Sequence, residues 1–402
     1  MLAYARKVLG WQEHLDSITD SRPRAVIPTS AVMRSAAVMF LSRQGSLNAF
    51  EQSAKSPFWH KWLGQAPPSA DTMGRVASIT NADDIRRLGR AIYSRLKRNK
   101  ALKPFACGML AAILDGHESH ATYRRHCPGC LERTVHTANG DRIQYYHRHV
   151  TVQLVGPGMC LLLDAEPICP GQGETAAALR LLERVIAAYP RAFDIVLGDA
   201  LYADSNVFNY VLGKGKEIIA VLKDERRDLF ADACGLFDQT SPVMLERGNR
   251  QCRCWDIEGL TSWPQVNQPV RVVRSVERYA VHRQLDDRDE QLEANWMWVT
   301  TLARNMVSTE GLVHFGHLRW KIENEGFNEL STRWHADHIY KHEPQAILVF
   351  CLLAMVCLNV FTAFHRLNLK PARRRACSML HISRLIAGEL YHSIAGPPQA
   401  PT

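Results

Sequence analysis

Three acidic residues stand out by the company they keep. Asp115 closes the apolar run ACGMLAAILD, Asp199 closes FDIVLGD, and Glu323 lies within HLRWKIENEGFNEL. An apolar strand ending in a carboxylate delivers that group to the margin of a buried sheet, where others can join it. Hard divalent cations take oxygen ligands, and two of them roughly 3.5–4 Å apart can activate water and stabilise the leaving oxygen in phosphodiester cleavage. A lone Asp after a strand more often starts a turn or caps a helix, so the pair carries more weight than either member. At about 100° per residue, Glu323 shares a helix face with Arg319, Ile322, Gly326, Phe327 and Leu330, whereas Glu325 lies with Lys321 and Asn328. A carboxylate on a mostly apolar face needs a cationic partner. Helical spacing therefore selects Glu323, with an i,i+4 ion pair to Arg319 as the competing explanation.

A softer group follows the first acid. Cys127-Pro128-Gly129-Cys130 offers two thiols at CxxC spacing near His117, His120, His126 and His136. Two thiolates and two imidazoles complete a tetrahedral Zn²⁺ site; a redox-active pair and an inert turn fit the same four residues. Cys252 and Cys254 alternate on one strand and are assigned to packing. Asp164 is assigned to turn chemistry beside Glu166-Pro167, and Asp204 and Tyr202 to capping of the helix that follows. Trp296 and Trp298 share a strand face and serve packing or stacking on an unpaired base.

Basic residues form a third group. After a cap at Asn81, IRRLGRAIYSRLKRNK (85–100) gathers Arg86, Arg87, Arg90, Arg95, Lys97, Arg98 and Lys100 within about four turns. Arg95, Lys97, Arg98 and Lys100 are candidate phosphate contacts, a solvated helix face being the bland alternative. Arg333 and His335, beyond the Glu323 segment, are further candidates for contact with DNA. The whole chain carries 49 Lys and Arg against 40 Asp and Glu, a net charge of +9 that favours a polyanionic partner.

These residues need a scaffold, and 46% hydrophobic residues supply the material for a core. Residues 1–105 read as helices, a DNA-binding or dimerisation region. From 106 to 223 the pattern is strand, hairpin (142–155 and 159–166), helix (173–189), strand (193–199), short helix and strand (217–223). That is the order of an RNase H-like α/β core, a mixed five-stranded sheet with helices. Residues 224–302 alternate β-branched and aromatic residues with polar ones and read as a β-rich insertion. Residues 303–368 resume the core, with helices around 309–330 and 344–366. Residues 369–402 hold a basic segment, a short helix and a disordered Pro-rich tail. The uncharged run Ala346–Phe364 is nearly as long as the ~20 residues of a membrane span, but Asn359 and Thr362 interrupt it, so a buried core helix is expected and no membrane partner. The eleven cysteines, several inside apolar runs, and an N-terminus without an apolar leader point to free thiols in a reducing cytoplasm.

On ILDGHES, DIVLGDALYAD and RWKIENEGFN the chain resembles bacterial insertion-sequence transposases of the DDE type, in the group with a β-rich insertion between the second Asp and the Glu. PSADTMGRV and LKRNKAL are also similar, so the likeness runs from about residue 25 to 365. The resemblance implies two Mg²⁺ or Mn²⁺ ions on Asp115, Asp199 and Glu323, with Arg319 orienting Glu323 or contacting phosphate. It further implies cleavage at the element's terminal inverted repeats, strand transfer into target DNA, and a homodimer in a synaptic complex at the bacterial nucleoid. Members of this group often carry a Tyr three residues before the Arg and a Lys seven after the Glu. Gly316 and Leu330 stand there instead, and Arg333 is the nearest substitute for the lysine. Two other functions stay open: a metal-dependent nuclease without strand transfer, and a non-catalytic DNA-binding protein derived from a transposase.

Overall fold

The computed structural model describes residues 1–223, 227–283 and 287–392. The expected disordered tail, 393–402, lies outside them. Among the described residues ten strands follow one another: β1 Ala111–Thr122, β2 Leu131–Thr137, β3 Gly140–Gly156, β4 Met159–Pro167, β5 Ile195–Gly198, β6 Glu217–Val221, β7 Val243–Arg247, β8 Arg250–Leu260, β9 Val270–Arg283 and β10 Arg288–Thr300. They form one mixed sheet in the order β2-β3-β1-β5-β6-β10-β9-β8-β7, with β4 on β3 beside β2. Strands β1, β5 and β6 run parallel, while β3 is antiparallel to β1 and β4 to β3.

Side chains alternate across a strand with a period of two, and the core strands sort accordingly. Ala112, Leu114, Val196, Ile218 and Ala220 face the helix Pro344–Ala363 and its neighbours. Ala111, Ile113, Ile195, Leu197, Ile219 and Val221 face the opposite layer, which includes Leu312, Val313 and Phe315 of the helix Thr309–Leu318. A sheet covered on both faces requires apolar residues at every position, as in the fully buried IVLG of β5.

The sequence expectations meet four differences here. The five-stranded sheet is part of a ten-stranded one, because β10 pairs antiparallel with β6 and carries the insertion's strands onto the same sheet. Strand β1 does not stop at Asp115 but continues to Thr122, since the long β3 offers it partners as far as Tyr145. The polar loop after β1 contains β2, a hairpin partner of the first half of β3. The helix expected over 309–330 is interrupted: a π-helical turn, Ile322–Phe327, separates Thr309–Leu318 from a further helix at Asn328–Trp334.

The segment Pro344–Asn368 has the length and composition of a membrane span, yet 78% of its apolar stretch is buried inside the fold. Its buried asparagine is accommodated: the Asn359 amide accepts from Leu162 N at 2.9 Å and donates to Leu162 O at 2.7 Å. Those backbone groups lie beside an irregularity in the β3–β4 register, so Asn359 replaces ladder hydrogen bonds.

Candidate active site

Register brings the first two acids together. Ile113 of β1 lies beside Leu197 of β5, and two residues further along each chain stand Asp115 and Asp199. Both continue the odd-numbered rows Ala111, Ile113 and Ile195, Leu197, so they emerge toward the layer that holds Ile322 and Phe327. Asp199 also caps the short turn Ala200–Tyr202, accepting from Leu201 N at 2.9 Å. Glu323 reaches the same place from that layer. Arg319 Nη1 donates to Glu323 Oε1 at 2.9 Å and to Asp115 Oδ2 at 3.4 Å, so one guanidinium nitrogen is shared by two acids. The i,i+4 pair is therefore present, and it extends to the strand. Glu325 turns to Lys321 instead, at 2.7 Å.

Electrostatics reflect this crowding. Burial pushes the Asp115 carboxyl up to about 6; Arg319 opposes the rise, while the charges of Asp199 and Glu323 add to it. Arg319 is itself fixed, its guanidinium 4.3 Å from the centre of the Trp320 ring.

Two neighbourhoods brace the acids. Gly116, next to Asp115, lies so close to the Glu174 carboxylate that a Cβ there would collide with it. Glu174 accepts from the buried Tyr202 hydroxyl at 2.7 Å and is approached by Arg148 Nη2 at 2.7 Å. Sequence reasoning missed Glu174 because an acid in a helix's first turn reads as a response to the helix dipole. Tyr202, expected at a cap, is buried here; Asp204 does cap its helix, accepting from Asn206 N at 2.9 Å and Val207 N at 3.2 Å. On the other side the insertion grips the helix leading to Glu323. Glu277 of β9, fully buried, accepts from His317 Nε2 at 2.6 Å. Trp298 of β10 fills the space beside Gly316, where any side chain would clash. That packing accounts for Gly316 where the resemblance leads one to expect a tyrosine, and it makes Trp298 a packing residue. Trp296 stacks on Trp298 at 6.2 Å. Leu330, at the lysine position, is buried, and Arg333 pairs with Glu329 at 3.2 Å while staying half exposed.

The other candidates disperse. Arg95, Lys97, Arg98 and Lys100 are exposed at the end of the helix Ala82–Arg98, and Lys97 Nζ also donates to Arg191 O at 2.7 Å. His335 ends the helix Asn328–Trp334 in the left-handed region, φ 52°. Asp164 is not a turn residue: it sits inside β4, holding Arg86 at 2.9 Å and Arg184 at 2.6 Å. Cys252 and Cys254 are buried as expected.

Cys127 and Cys130 do gather histidines, but not the four nearest in sequence. Their partners are His147 of β3 and His342, just before the helix Pro344–Ala363. Three of the earlier candidates are engaged elsewhere: His117 stacks on Phe327 and meets Asp337 at 2.9 Å, His126 stacks on Tyr145, and His136 meets Asp141 at 2.6 Å.

Two acids at strand ends and a third from the opposing layer, with one arginine shared between Asp115 and Glu323, form a set that oxygen-seeking cations would bind. The sequence matches the family described as Transposase DDE domain over residues 106–360, well over half of the chain and spanning all three acids. The chain belongs to this family. No curated protein matches it. As a member of the DDE transposases it has a transposase-type function, acts on DNA and belongs with enzymes that use divalent metal ions. The transposase's own Asp115, Asp199 and Glu323 are the acids that the matched region brings to one face.

Proposed function

We propose that this transposase cuts DNA at the terminal inverted repeats of a mobile element and joins the freed 3′ ends to target DNA, with Asp115, Asp199 and Glu323 as its catalytic acids. The observation that carries this reading is Arg319 Nη1 held between Asp115 and Glu323, with Asp199 in register beside Asp115. The core strand order β4-β3-β1-β5-β6, with three parallel strands and an antiparallel hairpin, supports an RNase H-like fold.

The acid set fits divalent cations. Asp115 and Glu323 share one guanidinium nitrogen with Asp199 in register beside them, and the Asp115 carboxyl is raised chiefly by burial, the charges of Asp199 and Glu323 adding to it. Asp115, Asp199 and Glu323 would hold two Mg²⁺ or Mn²⁺ ions, which when bound supply Lewis acidity at the attacking and leaving oxygens. The chain's own residues do the rest. The Glu174–Tyr202 hydrogen bond and the packing of Trp298 on Gly316 fix the two walls from which the acids project. Arg319, held over Trp320, would offer its guanidinium to a DNA phosphate. Arg95, Lys97, Arg98, Lys100, Arg333 and His335 provide further phosphate contacts. Joining two ends calls for two protomers, a homodimer in a synaptic complex working in the cytoplasm at the nucleoid.

The test uses purified full-length protein, Mg²⁺ and linear DNA carrying the flanking repeats. Nicked ends and joined products are expected, both abolished in Asp115→Asn, Asp199→Asn and Glu323→Gln with DNA binding retained. Cleavage without a joined product would assign a nuclease instead, and binding without cleavage by the wild type would assign a non-catalytic derivative.

A further inference from the structure

We propose that Cys127, Cys130, His147 and His342 form a closed, tetrahedral zinc site that fastens the segment after Glu323 to the β1–β3 arm. The four donor atoms all lie within 4.8 Å of one another. Cys127 Sγ and Cys130 Sγ are 3.8 Å apart, His147 Nε2 is 3.4 Å and 3.3 Å from them, and His342 Nε2 is 3.3 Å from Cys130 Sγ. Zn–S bonds of about 2.3 Å and Zn–N bonds of about 2.0–2.1 Å at tetrahedral angles give S···S near ~3.8 Å and S···N near ~3.5 Å. These four spacings match a ligand shell, and the other two donor pairs lie within 4.8 Å. A disulfide would bring the sulfurs to about 2 Å, and a redox pair has no use for two imidazoles from distant parts of the chain.

The surroundings agree. Cys127 N donates to Cys130 Sγ at 3.3 Å, and Cys130 N donates to Cys127 O at 3.0 Å, a tight knuckle with an N–H aimed at sulfur. Gly129 lies against Pro344, where a side chain would crowd the ring, so the knuckle is packed on the first residue of the helix Pro344–Ala363. Cys130 and His147 are buried. Four protein ligands with no open position make a structural site, and two sulfurs with two nitrogens select zinc over Mg²⁺ or Mn²⁺. The site is distinct from the acids in both donors and residues. Its ligands come from the β1–β2 connection, from β3 and from the stretch between Trp334 and Pro344. That stretch is also held by His117–Asp337, two residues from Asp115. Zinc thereby sets how the Glu323 segment sits over β1, a consequence that rests on the assignment of the catalytic acids, whereas the site itself does not.

Elemental analysis of the full-length protein, purified without chelators or metal-affinity resins, is expected to find one zinc per chain. Cys127→Ser and His342→Ala should each lose it, and Cys107→Ser, at an exposed cysteine, should keep it. Exchange with Co²⁺ should give visible tetrahedral bands and a thiolate-to-metal charge-transfer band. If His342→Ala fails to fold, His342→Cys should fold and retain the metal with a shifted Co²⁺ spectrum. Folded protein with little zinc after zinc-supplemented growth and no Co²⁺ bands overturns the proposal. So does a Cys127–Cys130 disulfide found by mass spectrometry, or zinc retained in both Cys127→Ser and His342→Ala. The variant lacking all three acids separates the two sites: its zinc should be intact although cleavage is gone, and zinc missing there would put the ion on the acids.

Discussion

The carboxylate cluster and the cysteine–histidine cluster both draw on β1 with its following turn and on the stretch from Arg319 to His342, the first adding Asp199 at the end of β5 and the second His147 of β3, yet they are opposite in character. The first uses hard, charged oxygens; Glu323 remains 40% exposed at its side chain and an arginine stands among them. The second uses sulfur and nitrogen in a mostly buried pocket, where burial pushes the Cys127 thiol up to about 11 and the His147 imidazole down to about 4. An acid site that must admit DNA and exchange ligands keeps an open side and tolerates unbalanced charge. A site that only holds chain together closes its shell with four protein ligands. The largest predicted effect exploits this division. Replacing any one of Asp115, Asp199 or Glu323 by its amide should reduce cleavage by on the order of a thousandfold or more, leaving zinc content and DNA affinity in place. Cys127→Ser should instead strip zinc and lower the melting temperature. Comparable drops in zinc in both sets would erase the distinction.

Charge at the end of the basic helix belongs to neither cluster. Reversing Arg95, Lys97, Arg98 and Lys100 to Glu should weaken DNA binding by roughly tenfold or more. It should also flatten the salt dependence by nearly one unit for each phosphate no longer neutralised. Metal content should not move. Affinity measured across a salt series decides the matter, and an unchanged slope removes this helix from the DNA interface.

A third effect tests how the acid site is braced. In Gly316→Ala the new methyl must displace the Trp298 indole or the helix leading to Glu323. Overpacking of this kind costs about 1–3 kcal/mol, and cleavage should fall further than the melting temperature alone explains. Unaltered kinetics in a destabilised protein would mean that the insertion supports the fold without positioning Glu323.

How much of this was written in the sequence follows from range. Asp115 and Asp199 were legible because an apolar strand that ends its parallel pairing in an acid is a local pattern, and β1 and β5 meet in register. Glu323 was legible on a 3.6-residue period even though the turn it occupies is π-helical, a distortion that such periodicity cannot reveal. Gly326 there packs so tightly on Gln153 that a Cβ would clash, which suits a turn pressed onto β3. His147 and His342 were not legible as a pair, since no local signal ties a strand residue to a loop almost two hundred positions away. Nor does the alternation in β10 announce that its partner is β6, or that Trp298 will occupy the space over Gly316. The identity of the elements was local information; their partners were not.

The smallest effect concerns Asp115 without metal. Its carboxyl ordinarily titrates near 3.8, and burial with Asp199 and Glu323 nearby raises it to about 6 in the folded chain. Between those two values the native state binds more protons than the unfolded state, so stability falls as pH rises through the window and stays lower above it. In chelator-treated protein, Asp115→Asn removes this liability and should be more stable than the wild type at pH 7.5, by on the order of 2 kcal/mol. The gain should be largely gone near pH 4, where the native carboxyl is protonated and the unfolded one is about half protonated. Adding Mg²⁺ should narrow the difference again, because the cation compensates charge in the wild type but lacks one of its ligands in the variant. Thermal melts of both proteins at pH 4, 6 and 7.5, with and without Mg²⁺, provide the check. A difference independent of pH would show that the Asp115 carboxyl is not raised in the folded chain, and the contrast between the acid site and the zinc site would fail at its first premise.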